Sequence, residues 1–471
     1  MSEFSWGLFV ALAASAIFVA SGIPLGPLLV FGVVIGLFVA YRYPYFTFYV
    51  SLALMPFLGL TVSIPTGELA IGKRAFGGSI DIGLAEVLLL ALLAAWALKL
   101  LWLWQRRRDR NWKPQLPLLG SYLSLIGAHL ASAFSSLGPD RVLVAKFALR
   151  PVLFCYLAFV VLPVNFIRSR RKLVSALSVV SLVGLCAALN GTLSLFFVDA
   201  TSQFIRRAHP LPFFGVHALG DNHNLLAELM VVTVMITLAL AFLVKTERMR
   251  RLLLASAMLQ GVIGLLTFSR TGWIVFAVQA LFLAVIEYRS VLRRRLPLML
   301  ASLLLLIPFA FVMLQISSST VATSSNSTRV ALLEIALDVF STSPWIGGGA
   351  GTFVERVGSA QVFRLEYGDP LDAHGFLQKL AAETGIFGLL AFAFVLYSFI
   401  RAVHRGLVHI PSGPHRRVVL LLFTGAFGAI VYQLFNTNYW TGKMWLPIGL
   451  TLAALRALRQ DAETRESSEP V

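Results

Sequence analysis

Four arginines and one histidine are the residues of this chain best suited to chemistry by type and setting. Arg206 and Arg207 stand in TSQFIRRAHPLPFFGVHALGDNHN, Arg270 in TFSRTGW, Arg329 in SNSTRVALLEIALDVF, and His374 in DPLDAHGFLQKLAAETGIFGLLAFAF. Guanidinium groups offer paired N–H donors, so arginines converging from three loops suit a diphosphate, whose oxygens accept bidentate contacts. Taken alone, Arg270 has a plainer reading, snorkelling to lipid phosphate. If Asp372 caps the helix that follows, His374 lies in its first turn, where the positive end of the dipole disfavours imidazolium. A neutral imidazole accepts a proton, which makes His374 a candidate general base toward a hydroxyl. Its plainer reading is an ordinary hydrogen-bonding residue at a helix end.

The elements that must position these residues are membrane helices. Of 471 residues, 58% are apolar and 13% charged, and the mean hydropathy is +0.81, outside the range of water-soluble domains. Apolar stretches recur at the length that crosses about 30 Å of hydrocarbon. They predict an all-α polytopic membrane protein with about 14 transmembrane helices, or 12 to 14. The expected spans lie near residues 6–21, 24–40, 45–60, 84–104, 117–136, 149–165, 173–198, 223–244, 252–268, 273–288, 296–315, 376–400, 418–436 and 444–456. Residues 1–460 read as one polytopic domain, followed by a short polar tail over 461–471 with the composition of a disordered cytoplasmic segment. The first apolar segment lacks a basic start and a cleavage site and reads as a mature helix. Cys155 and Cys186 fall inside apolar segments, which argues against a disulfide framework or a metal cluster.

Basic residues set the orientation, because Lys and Arg beside a span resist translocation. They cluster on alternate connections, at Arg106–Lys113, Arg168–Lys172, Lys245–Arg251, Arg289–Arg295 and Arg401–Arg417, which places both termini in the cytoplasm. About 26 of the 39 Lys and Arg then lie inside, so the net charge of +17 is mostly a topology signal. Binding of nucleic acid is not indicated, since the basic runs are short, dispersed between spans and lack interleaved aromatics. The same frame puts residues 61–83, 137–148, 199–222, a tight turn near 269–273, 316–375 and 437–443 outside. Arginines there run against the sorting bias and need another reason to be present.

Residues 316–375 are the one large excursion. Val330, Leu333, Leu337 and Phe340 recur at helical spacing against Glu334 and Asp338, predicting a short interfacial helix. With Ser327 or Thr328 as its cap, Arg329 falls in the first turn, a poor place for a cation that a bound anion would relieve. Pro344 and the glycines Gly347, Gly348, Gly349 and Gly351 then break the helix and let backbone approach a ligand or another segment closely. A dinucleotide fingerprint is excluded, for no strand precedes the glycines. Gln378 shares a helix face with His374, and Glu383 lies roughly 13 Å deeper, at a depth where a carboxylate needs a protein partner. His129 and Glu228 are read as packing or gating residues.

TFSRTGW, NSTRVALLEIALDVFSTSPWIGGGAGTF and AHGFLQKLAAETGIFGLL follow one another over residues 265–392 in an order that resembles the O-antigen ligase and O-antigen polymerase family. The chain departs from that pattern at Gly375, where the family often has Asn. The resemblance implies a GT-C-type bundle in the bacterial inner membrane with one large periplasmic loop, serving lipopolysaccharide or exopolysaccharide biosynthesis. It also implies transfer of a glycan from undecaprenyl diphosphate to an acceptor hydroxyl, on a growing glycan or on lipid A core. Arg270 and Arg329 would bind the diphosphate, Arg206 or Arg207 would assist, and His374 would activate or position the acceptor. No cofactor is expected. No metal is expected either, because arginines can carry the leaving group's charge and the outward turn near Ser21–Pro24 is too short for an acidic site. A span count of about 14 tilts the reading from ligase toward polymerase. The competing class is a secondary transporter or lipid-linked glycan flippase, which should show internal repeats with matching broken helices. No repeat is evident in the chain.

Overall fold

The computed structural model describes residues 26–57, 59–65, 79–105, 114–135, 149–197, 206–213, 215–287, 320–368, 370–410, 413–436 and 442–466. In chain order the helices are α1 (Gly26–Arg42), α2 (Pro44–Leu54), α3 (Leu84–Gln105), α4 (Leu119–Ser135), α5 (Pro151–Phe166) and α6 (Arg170–Phe197). They continue with α7 (His223–Ala241), α8 (Glu247–Leu266), α9 (Arg270–Glu287), α10 (Thr320–Thr342), α11 (Phe353–Ser359) and α12 (Gln361–Tyr367). Last come α13 (Phe376–Val408), α14 (Pro414–Gln433) and α15 (Gly442–Glu466). The first two thirds of α5, Pro151–Val161, are wound as a π-helix.

Seven helices, α3, α6, α7, α8, α9, α13 and α14, are long and apolar enough to cross a membrane, and the chain is a multi-pass membrane protein. The expected spans at 6–21 and 296–315 lie outside the described residues, while every other expected interval falls on a described helix. The all-helical class stands, and β1 (Thr61–Pro65) and β2 (Ser79–Gly83), paired antiparallel with Thr61 opposite Gly83, add one short hairpin among the described residues. One expectation is corrected: the polar end of the chain is helical for its first residues, since α15 runs to Glu466. Within 316–375, α10, α11 and α12 fill most of the described part, more helix than the one short element expected there.

The bundle is organised around α7, whose most apolar stretch is 83% buried, against 17% for α9 at the periphery. Polar side chains bind the helices to one another where lipid gives no hydrophobic drive for association. Ser181 pairs with Thr237 at 2.9 Å, and Gln279 donates to the carbonyls of Val231 and Thr424 at 3.0 and 3.2 Å. The helices run so that the two ends of the bundle differ in chemistry. At one end Arg170 donates to the Leu243 carbonyl at 2.8 Å and Arg417 pairs with Glu287 at 2.6 Å. At the other lie the turn before Arg270, the start of α7 and the end of α14, joined by Tyr432.

Candidate active site

Three segments meet at that second end. The connection entering α7 is stapled to its neighbours by backbone bonds: Ala208 N–H to the Leu266 carbonyl at 2.9 Å, His209 N–H to Ser194 Oγ at 3.0 Å, and Leu211 N–H to Asn190 Oδ1 at 2.8 Å. Asn222 caps α7, its side chain accepting the Asn224 N–H at 2.8 Å. Between α8 and α9 there are only Thr267, Phe268 and Ser269, and Phe268 closes the turn in the left-handed region at φ 53°. Ser269 Oγ accepts the Gly272 N–H at 3.2 Å, so Arg270 opens α9 beside a capped helix start. The third segment is α10, from which Asn326 Oδ1 accepts a hydrogen bond from Arg270 at 3.3 Å.

The result is a row of like charges. Arg207 is drawn below its ordinary pKa by burial and then by Arg270; Arg329 is lowered by burial and then by Arg270 as well. Nε of Arg329 is buried and has no hydrogen-bond partner among the described residues. His223, first in α7, lies within electrostatic range of Arg207 and His209. Cations crowded in partial burial repel one another, and a polyanion is the ligand that would turn this repulsion into attraction. Arg206 does not join the row: it is exposed and donates to the Leu195 carbonyl at 2.9 Å, at the end of α6.

His374 lies within electrostatic range of Arg329. Burial and then Arg329 hold its imidazole below the ordinary histidine value, with Asp372 pulling in the opposite direction. The reason is therefore not the helix dipole. Gly375 occupies the N-cap and α13 starts at Phe376, which leaves His374 ahead of the helix, and Asp372 does not cap it. Asp372 instead accepts the Ala373 N–H at 2.9 Å and holds the buried Lys379 ammonium with both oxygens, at 2.7 and 2.9 Å. This clamp fixes the residues on both sides of the histidine. At Gly375 a Cβ would stand 2.8 Å from the Leu434 carbonyl oxygen and against the Gln378 amide, so a larger residue would require a shift here.

The environment of Arg329 also differs from expectation. Helix α10 begins at Thr320, so Ser327 and Thr328 sit inside it and Arg329 is well past the first turn. The helix buries Leu332, Ala336 and Val339 against Phe353, Val357, Phe363, Ala373 and Ala382, while Val330, Leu333 and Leu337 face outward. The outward apolar stripe beside exposed Glu334 and Asp338 is the arrangement of an interfacial helix, lying on a second stripe that packs on protein.

Sequence reasoning missed a break in α13. Gly385 takes φ 63°, and the helix on either side trades its backbone partners with the glycine segment. Gly348 and Gly349 donate to the carbonyls of Ala382 and Glu383, at 2.8 and 3.2 Å, and the N–H groups of Ile386 and Phe387 return to Pro344 and Trp345, at 2.8 and 3.1 Å. The glycine amides thus serve another segment. A Cβ on Gly347 would fall 2.2 Å from the Glu383 carbonyl carbon, which explains glycine at that position. Glu383 is 1% exposed, takes the Phe353 N–H at 3.3 Å and sits 3.9 Å from Lys379, while Ser132 donates to its carbonyl. The Thr384–Gly385 pair inside an apolar run was the available signal.

His129 and Glu228 are interior. His129 Nδ1 lies 2.8 Å from the Leu125 carbonyl, and Glu228 binds Gln433 at 2.7 Å and Lys443 at 3.5 Å. Among the described residues no three His, Cys, Asp or Glu side chains group as metal ligands, and both cysteines are free.

The comparisons with known proteins fall on this same region. No curated protein matches the chain. The family model described as O-antigen ligase matches residues 254–393, well under half of the chain. That stretch holds Arg270, Arg329, the glycine segment, the Asp372–Lys379 clamp, His374 and the break at Gly385, and over it the chain is similar to the O-antigen ligase family.

Proposed function

We propose that the protein transfers a glycan from a polyprenyl diphosphate, of the undecaprenyl diphosphate type, to an acceptor hydroxyl at the periplasmic face. The family supports a surface-polysaccharide ligase or polymerase in general terms. The observation that carries the finer reading is the row of Arg207, Arg270 and Arg329, ending on a histidine held below its ordinary pKa. Arg207, Arg270 and Arg329 bind the diphosphate. As the acceptor oxygen bonds to the anomeric carbon, the bond to the diphosphate oxygen breaks and its electron pair leaves with the lipid diphosphate. His374 takes the acceptor proton. Charge developing on the leaving group meets guanidinium groups already in place, so no metal is required for its neutralisation.

A broken helix such as α13 is also a transporter device, but there the freed backbone lines a cavity. Here it is consumed by the glycine segment. The test is reconstitution of the purified chain with an undecaprenyl-diphosphate-linked glycan and two acceptors, the same lipid-linked glycan and lipid A core. A ladder of products identifies a polymerase, and a single transfer identifies a ligase. Movement of the donor across the bilayer without product would support the flippase reading instead. Added chelator should leave the rate unchanged.

A further inference from the structure

Tyr432 belongs to none of the segments that carry the cations, yet its side chain joins two of them. It is 1% exposed, near the end of α14, and its hydroxyl lies 2.7 Å from the Asn224 carbonyl oxygen and 3.3 Å from Ser269 Oγ. A phenol has one proton to give. The shorter contact, to a carbonyl that can only accept, takes it, and the phenol oxygen then accepts the Ser269 O–H. Ser269 Oγ in turn receives the Gly272 N–H at 3.2 Å, and the Ser269 carbonyl receives the Trp273 N–H at 3.0 Å. The phenol oxygen therefore ties the residue before Arg270 to the residue after His223. It also lies within electrostatic range of Arg329 and of Glu228.

We propose that Tyr432 is a positioning residue of the transfer site, whose buried hydroxyl sets the placement of Arg270 relative to the start of α7, beside Arg207 and His223. The proposal rests on the diphosphate reading above. Two guanidiniums can grip one diphosphate only at the separation its oxygens allow, and misplacement of about 1 Å is costly in such sites. Arg270 already meets α10 through its bond to Asn326, whereas Arg207 and Arg270, being like-charged, repel, so the frame must hold that pair. Tyr432 supplies that frame from a third helix.

The experiment uses the full chain purified in detergent, with inorganic pyrophosphate as probe and the lipid-linked donor for kinetics. Tyr432→Phe should weaken pyrophosphate binding and raise the donor KM roughly three- to tenfold, the worth of one or two hydrogen bonds. Ser269→Ala should do the same, and the double variant should lose less than the sum of the two single losses, since the two residues share one contact. Additive losses would overturn the proposal, as would unchanged affinity and KM in folded Tyr432→Phe protein with only a lowered unfolding temperature. If Tyr432→Phe fails to fold, Ser269→Ala alone decides by the same two readouts. Should Arg270→Ala bind pyrophosphate as the native chain does, the diphosphate reading falls and the positioning role with it. If Arg270→Ala loses binding while Tyr432→Phe keeps it, only the positioning role falls.

Discussion

His374 stands between Arg329, which disfavours its imidazolium, and Asp372, which favours it. Replacing Arg329 with Gln should therefore raise the His374 pKa, and replacing Asp372 with Asn should lower it, as an NMR titration of the histidine would show. The bound diphosphate acts as the missing anion, so it should raise the pKa too. Activity needs the neutral ring and is lost as pH falls through that pKa, so the acid limb of kcat should lie at higher pH than the acid limb of kcat/KM. Coincident limbs would mean that donor and histidine do not share a site. Arg207→Ala should cost on the order of tenfold or more in kcat/KM, the worth of a charge-assisted contact, while Arg206→Ala should stay within about twofold. The residue types were legible because arginines on loops expected to face outward oppose the sorting bias. Which of Arg206 and Arg207 turns inward was not, since adjacent residues in an irregular segment carry no periodicity, and the bond from Arg206 to Leu195 decides it.

At the scale of elements, the site depends on a helix that is broken on purpose. Gly385 at φ 63° and Gly347 at φ 75° face each other's segments, and a Cβ on either would meet backbone at 2.5 and 2.2 Å respectively. Alanine at either position should cost about 3 kcal/mol or more and lower the unfolding temperature of the detergent-purified protein. Lys379→Met strands Asp372 and Glu383 without their cation and should destabilise by about 3–5 kcal/mol, read in the same melt. Sequence showed the glycine run as a turn and Glu383 as needing a partner. It hid the break, because Thr384 and Gly385 sit in an apolar run that hydropathy reads as one continuous span. The start of α10 was hidden for the opposite reason. Ser, Thr and Asn between Thr320 and Thr328 argue locally against helix, and packing of Leu332, Ala336 and Val339 on the protein overrides that preference.

For the molecule as a whole, hydropathy located nearly every described helix of the bundle, because length and apolarity are what a bilayer selects. The hairpin of β1 and β2 escaped it, being too short for a periodic signal. Orientation follows from charge: the Arg270 end should face the periplasm, opposite the end bearing Arg170 and Arg417. With Cys155 and Cys186 replaced by Ala, a membrane-impermeant maleimide should label Ser359→Cys in intact spheroplasts and Thr246→Cys only after permeabilisation. The reverse pattern would invert the topology and remove the site from its substrates. The central claim is that the arginine row holds the donor while His374 takes the acceptor's proton. Its most direct test is the single-turnover transfer rate of His374→Ala with the lipid-linked donor saturating and donor binding measured alongside. The account predicts unchanged donor affinity and a rate lower by about 100-fold or more, the usual contribution of a general base. Transfer at the native rate would contradict it.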